Sequence, residues 1–595
     1  MALAEIDGRP IAFVADDDDN DLHAVALDTR EELSTTTLGG APSQVLVAKN
    51  GRVLVALRDR ARIDVLEVTS RDGGARVVRS VPTSADPVAM AITPDDATLL
   101  VTSGFTHTLA AYRFPNMGLA FDVSLAREPR GVVVSDDGHT AFVSHVVGSK
   151  MSVIDLAFTP HEVRVVKLDS VKGPEPRVQV ATVATRTDEG DGDGAPAERP
   201  RTACQGFALA KSENPPGRIL APQVLVDSGD PQQQTSGYGD DGAATEVGSV
   251  AVIDASDGTA LDASLRASSV ASAVPSGAID CVLPRAAATD AATRSLYVTC
   301  LGVDALVEYD AGAADPHAAE RRRWSVGAGP TGVAIDAIRR RAYVWSQFDR
   351  VLDVVALDGA RTEQSPAPLL SVAVSRRAAT AVADVALGRR LFHAAGDARI
   401  SADGRACASC HPDGRDDALT WATPGGPRQS PMLAGRLATT APYGWDGAGS
   451  DVKTHLAHTF ERLRGEGIGQ AGVDALAAYI LSMRAPEVPR AADPSVTRGA
   501  ELFASAEAGC ASCHTPSNGF ADGKKHEVGS AAQADAVKSF DTPSLRFIGG
   551  TAPYFHDGRY ATLRELLVSS DGKMGHTRHL AQADLDALEA YLRTL

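Results

Sequence analysis

Pro42, Pro87 and Pro129 stand 45 and 42 residues apart, and Pro284 and Pro330 are 46 apart. Each opens a similar unit. After Pro87 the chain reads V-A-M-A-I-T-P-D-D-A-T-L-L-V-T-S, after Pro129 it reads R-G-V-V-V-S-D-D-G-H-T-A-F-V-S-H, and after Pro330 it reads T-G-V-A-I-D-A-I-R-R-R-A-Y-V-W-S. Short alternating apolar runs, split by Asp, Gly or Arg turns, are antiparallel strands. A period of this length with several strands per unit leaves few architectures besides a β-propeller, here of about seven blades over roughly residues 1–365. Two units, starting near Pro200 and Pro284, are stretched by loops. The segments 178–198 and 227–247, rich in Asp, Gly, Gln and Ser, read as flexible insertions. Residues 10–27 form a partial unit, expected to share a blade with the end of the repeat region and so close the ring without a free edge.

From about Ala378 the texture turns helical, and the remainder is written twice. L-G-R-R-L-F (387–392) answers to R-G-A-E-L-F (498–503), and C-A-S-C-H occurs at 407–411 and 510–514. S-P-M-L (430–433) answers to T-P-S-L (542–545), T-A-P-Y-G-W-D-G (440–447) to T-A-P-Y-F-H-D-G (551–558), and D-A-L-A-A-Y (474–479) to D-A-L-E-A-Y (586–591). A chain of 595 residues exceeds one ordinary core. The expected division is a propeller over 1–377, then two mainly α-helical c-type cytochrome domains in tandem, 378–488 and 489–595.

In C-x-x-C-H both thiols form thioethers with haem vinyl groups, and the adjacent imidazole is the proximal iron ligand. Two c-type haems are therefore expected, one on Cys407, Cys410 and His411, the other on Cys510, Cys513 and His514. Zinc would need four-ligand sets that neither copy offers. Of the other three cysteines, Cys204, Cys281 and Cys300, at most two can pair, and Cys281 with Cys300 is the expected disulfide.

Y-V-T-C at Tyr297–Cys300, followed by L-V-E-Y-D, resembles the YVTN-type, WD40-like propeller repeats of exported bacterial proteins. The region from 378 to 595, with its two C-x-x-C-H motifs, G-P-R-Q-S-P (426–431), W-D-G (445–447) and F-H-D-G (555–558), resembles the bacterial di-haem cytochrome c peroxidases and their MauG-type relatives. That resemblance implies one six-coordinate haem that stores electrons, a second that opens to peroxide, and a Trp between them, here Trp445. It also shows departures. His455 stands where the family has a distal Gln, Gly465 with neighbouring Glu466 where it has a catalytic Glu, and Trp421 where many members have a loop His. His455 can stand off as an acid–base group or ligate the iron, with His458 one turn on as a competitor. For the second haem the resemblance implies a Met or Tyr ligand, placed here at Met574, with His576 and His579 as alternatives; its counterpart in the first copy is Arg462.

A formal net charge of -18 argues against nucleic acid and anionic membrane as partners. It suits a small basic electron-transfer protein, a cytochrome or cupredoxin. No run approaches a membrane span. The chain's opening lacks an export pattern, whereas haem of this kind is attached outside the cytoplasmic membrane; the expectation is a periplasmic or cell-surface protein whose export signal is not in this sequence. The acidic runs Asp16–Asp19 and Asp188–Gly194 suit Ca²⁺ by charge, but each lacks a full ligand spacing and reads as a solvated loop. The leading functional expectation is a peroxidase or MauG-like oxidoreductase, with electrons passing from the C-terminal haem to the first haem. The alternatives are a non-catalytic electron-transfer cytochrome and a propeller-based surface binding module wired to a redox sensor.

Overall fold

The computed structural model describes residues 1–168, 201–239, 245–261, 279–359, 367–375, 383–485, 488 and 493–595. The expected boundary near 377, the insertion 178–198 and the acidic run 188–194 fall outside the described residues.

Seven four-stranded antiparallel sheets follow one another, at residues 2–37, 42–82, 87–124, 129–167, 202–254, 284–325 and 330–373, hereafter blades 1 to 7. The marker prolines all open the first strand of a blade, where no ladder hydrogen bond is needed from the residue's nitrogen. The turns are closed by side chains. In blade 3, Thr93 donates to Asp95 at 2.6 Å, and Asp95 also accepts the Ala97 N–H at 3.1 Å. Ser135, Asp137 and His139 repeat that turn in blade 4. The T-P-D-D and S-D-D-G strings are thus hairpin corners.

The apolar faces pack blade against blade. Ile11, Phe13 and Leu22 of blade 1 meet Val53, Val55 and Leu57 of blade 2, and five further cores join the following pairs in turn as far as blade 7. The ring closes where Tyr343, Trp345 and Leu352 of blade 7 meet Ala12, Val14 and Val25 of blade 1. This corrects the expected shared blade. Residues 2–37 supply four strands of their own, so closure comes from side-chain packing, with Ser375 N–H donating to Glu32 at 2.6 Å. Cys281 and Cys300 form the expected disulfide.

The helical region contains α1 (Ala383–His393), a single turn α2 (Cys407–Cys410), α3 (Val452–Leu463), α4 (Gly469–Ser482), α5 (Pro494–Ala504), α6 (Leu563–Ser569) and α7 (Gln582–Leu592). Two helix pairs, α1 with α4 and α5 with α7, pack alike. A Cβ on Gly388 would stand 2.0 Å from the Ala475 carbonyl oxygen, and one on Gly499 would stand 2.0 Å from that of Ala587. Only glycine permits this approach. Beside each crossing an aromatic pair meets with ring centroids 5.4 Å apart, Phe392 with Tyr479 and Phe503 with Tyr591. The repeated G-x-x-L-F and A-x-x-x-Y strings are the two sides of that crossing. Among the described residues no helix is long and apolar enough to cross a membrane.

Candidate functional site

In each copy the helix crossing stands beside a C-x-x-C-H loop. Cys407 and Cys410 bracket α2, three residues apart and so on one side of the turn. Neither is in a disulfide, nor are Cys510 and Cys513. Burial pushes the Cys407 thiol up to about 12 and holds Cys410 well above its ordinary value, so both sulfurs are thiols rather than thiolates at pH 7. His411 donates Nδ1–H to the Arg415 carbonyl at 3.3 Å, and His514 donates Nδ1–H to the Phe520 carbonyl at 2.8 Å. Burial lowers both imidazoles below their ordinary value. Each is thus neutral at pH 7 with Nδ1 held on a backbone carbonyl, and the Pro431 carbonyl is a second acceptor beside the His411 ring.

The surroundings fit haem. Cys407 packs with Phe392, Ile400, Leu456, Phe460 and Leu476, and Cys510 with Phe503, Tyr554, Leu563 and Leu588, two apolar linings suited to a macrocycle. Arg405, 4% exposed beside the first motif, has Nε and Nη1 without partners, a fit for an acidic haem propionate. Among the described residues of the helical region, Cys513, Asp522 and His526 form the single cluster of metal-ligating atoms. Asp522 and His526 already bond each other at 2.8 Å, and this set has three members, short of a structural zinc site.

His455, Thr459 and Arg462 share one face of α3, whose first turn is capped by Asp451 accepting the Thr454 N–H at 2.9 Å. His455 lies against the W-D-G turn: a Cβ on Gly444 would stand 3.0 Å from its Cε1, and one on Gly449 2.7 Å from its Cβ. Burial, then the positive charge of Arg462, lowers this imidazole to about 4, so it is neutral at pH 7. Arg462 points Nη1 at the Tyr238 hydroxyl at 3.4 Å and lies 3.9 Å from Asp446.

Tyr238 comes from the segment read as a flexible insertion. The described residues of that segment are instead bound to the helical region: Gly239 N–H donates to the Ala422 carbonyl, Ala422 N–H to that of Ser228, and Arg405 to that of Tyr238. Polar composition concealed this because the docking uses backbone groups. Glu466 is not brought to His455 by any contact; it is exposed, its N–H held by the Ala398 carbonyl. Trp421 is buried, donates to Asp417 at 2.8 Å and packs with Tyr238 and Cys410.

Trp445 donates Nε1–H to the Gln429 carbonyl at 2.7 Å, and its ring meets His556 edge-on at 6.3 Å. Trp445 and His556 occupy the same place in the two copies, 111 residues apart, so the repeats touch through equivalent residues. His556 stacks on Phe540 at 3.9 Å and bonds Asp535 at 2.8 Å, and Asp535 also holds Arg428. The alignment of the two T-A-P-Y strings was the signal for His556. At the second motif, Met574 packs in the core with Cys510, whereas His576 and His579 are exposed, His579 being 3.5 Å from Glu507. The acidic loop of blade 1 is occupied by cations: Asp16 bonds His23 and Arg350, Asp19 bonds Arg350, and Asp18 bonds Arg389.

The sequence profile of the family described as di-haem cytochrome c peroxidase matches residues 499–595. The chain is 31% identical over 180 residues to hydrazine synthase subunit gamma of Kuenenia stuttgartiensis, covering 22% of this chain and 51% of that protein, so the match spans about half the relative's length. It is 29% identical over 242 residues to the methylamine utilization protein MauG of Methylorubrum extorquens, covering 31% of this chain and 67% of that protein. Among solved structures, Kuenenia stuttgartiensis hydrazine synthase superposes with a TM-score of 0.43 at 14% identity, over 58% of this chain and 92% of that one. The C-terminal region of this chain is thus similar to the bacterial di-haem cytochrome c peroxidases, whose family profile matches residues 499–595, and to MauG, and it follows a seven-bladed β-propeller.

Proposed function

We propose that the protein is an exported di-haem c-type cytochrome acting as a peroxidase or MauG-like oxidoreductase, built from a propeller over 1–377 and two cytochrome c domains, 378–488 and 489–595. The observation that carries this reading is the repeated site, two C-x-x-C-H loops with neutral, anchored imidazoles whose halves meet at Trp445 and His556. When bound, the two haems supply electron storage at the C-terminal site, with Met574 as a potential-raising ligand, and an iron at the first site to which electrons pass for peroxide reduction.

The chain's own groups have separable tasks. Cys407, Cys410, Cys510 and Cys513 hold the cofactors, and His411 and His514 present Nε2. His455, neutral at pH 7, accepts a proton from peroxide and returns it to the departing oxygen, while the guanidinium of Arg462 offers fixed positive charge to that oxygen. One hydrogen peroxide, two electrons and two protons give two waters, the electrons coming from a small basic cytochrome or cupredoxin. Trp445 keeps its indole proton on a backbone carbonyl while relaying charge between the halves.

The test is haem content and ferric spectra of the full chain. Pyridine haemochrome should count two haems, and Cys407→Ala with Cys410→Ala should leave one. Cyanide or peroxide should shift one iron alone. Two low-spin irons, both inert to cyanide, would instead support the electron-transfer reading, which the replacement of the family's Gln and Glu by His455 and Gly465 favours.

A further inference from the structure

The first attachment loop lies across the axial mouth of the propeller. Around that axis the first strands of blades 1 to 4 touch in turn, as do those of blades 6 and 7, and blades 2, 4 and 6 each carry an arginine at that end. Asp413, two residues past His411, accepts from all three: Arg58 at 3.1 Å, Arg130 at 3.4 Å and Arg285 at 3.0 Å. Arg415 completes the contact in the other sense, donating Nη1–H to Glu128 at 2.5 Å and Nη2–H to Asp86 at 2.6 Å. Further contacts hold the same loop. Gln205 of blade 5 donates to the Ala408 and Ser409 carbonyls at 3.0 and 3.1 Å, and the Ser409 hydroxyl donates to Glu246 at 3.0 Å.

Two features mark this junction as more than a covered surface. Arg415, Asp86 and Glu128 are 4%, 1% and 1% exposed, so their charges are desolvated and depend on one another. Asp86 and Glu128 stand at equivalent places, just before the first strand of a blade, with φ of 64° and 53°, a region that side chains other than glycine enter at a cost. That backbone turns both carboxylates onto one guanidinium. The carbonyl of the same Arg415 accepts Nδ1–H of His411. The second attachment loop differs: His514 is anchored on Phe520 of its own segment, and among the described residues 510–521 make no hydrogen bond or ion pair to the propeller.

We infer that the propeller mouth is the proximal socket of the first haem, with Arg415 as the positioning residue through which Asp86 and Glu128 fix the His411 ring. The inference rests on the haem reading above and deepens it. A proximal imidazole is oriented by the acceptor of its second N–H, and that acceptor tunes the iron it binds. The propeller therefore sets the axial ligand of one haem, whereas it meets the second half away from that half's attachment loop, through Arg127 on the Gly550 and Ala552 carbonyls and Phe105 on Phe547.

The experiment compares full-length holoprotein with Glu128→Gln, a substitution in the propeller that keeps shape and removes the charge facing Arg415. Haem content is counted first, then ferric EPR, the iron–histidine band in resonance Raman spectra, and the two midpoint potentials. The expected result is two attached haems, altered signals at one only, and about a tenfold change in its reduced-to-oxidised ratio at fixed potential, about 59 mV for one electron. Gln205→Ala, which touches the loop without a charge, is the second variant and decides by the same signals should Glu128→Gln not fold. Two attached haems with neither signal moved, or with both moved equally, overturn the socket. A wild-type chain without covalent haem overturns the haem reading, and this one with it.

Discussion

His455→Ala separates an enzyme from a wire. Burial and Arg462 hold the imidazole down to about 4. At pH 7 it is therefore about 99.9% neutral, three units above that value, and ready to take a proton. Removing a positioned acid–base group costs about 10²-fold in turnover, which corresponds to about 2.7 kcal/mol of transition-state stabilisation. The pH profile carries a second, independent number. A base works in its unprotonated form, so wild-type turnover should be level from about pH 5 upward and fall tenfold per unit below about 4, whereas an ordinary imidazole would place that limb near 6.5. Stopped-flow peroxide reduction with a reduced small cytochrome as donor measures both, and the ferric spectrum should show the first iron's spin state unchanged in the variant. The acid–base role is refuted if His455→Ala converts a low-spin iron to high-spin and peroxide reactivity rises, because His455 was then a ligand blocking the site.

Gly388→Ala and Gly499→Ala each place a Cβ 2.0 Å from a backbone oxygen, so the crossing helices must separate by about 1 Å. Each should lose about 1–3 kcal/mol, read as a lower Tm with poorer haem attachment in its own half; unchanged melting would refute the crossing. Trp445→Phe keeps the ring against His556 but loses the bond to Gln429, and should slow electron transfer between the sites with both haems still attached; an unaltered rate removes Trp445 from the relay. Residues 1–377 should fold alone, because the seven inter-blade cores close without the helical region. Circular dichroism of an unfolded or aggregated product would defeat that boundary. The isolated propeller should also gain stability from sulfate, since Arg58, Arg130 and Arg285 have lost Asp413.

Legibility in the chain followed the reach of each interaction. The C-x-x-C-H loops, the turn-closing Asp residues and the G-x-x-L-F helices are local chemistry, with partners a few residues away or spaced by a regular period, so pattern alone exposed them. The blade count was legible because each blade repeats the same hydrogen-bonded hairpins, and the Cys281–Cys300 pair because few thiols were left to combine. How the ring closes was not legible, since residues 10–27 look like half a unit until their pairing with residues 2–6 and 31–37 is seen.

The contacts that separate the two sites were hidden for the same reason. Asp413 meets arginines 355, 283 and 128 residues away, Arg462 meets Tyr238 across 224, and Trp445 meets His556 across 111. No local propensity marks such partners, because a carboxylate held among three guanidiniums and a carboxylate in water are the same letter. Burial decides between them, and burial exists only once seven blades have closed a ring whose mouth the first haem loop can fill.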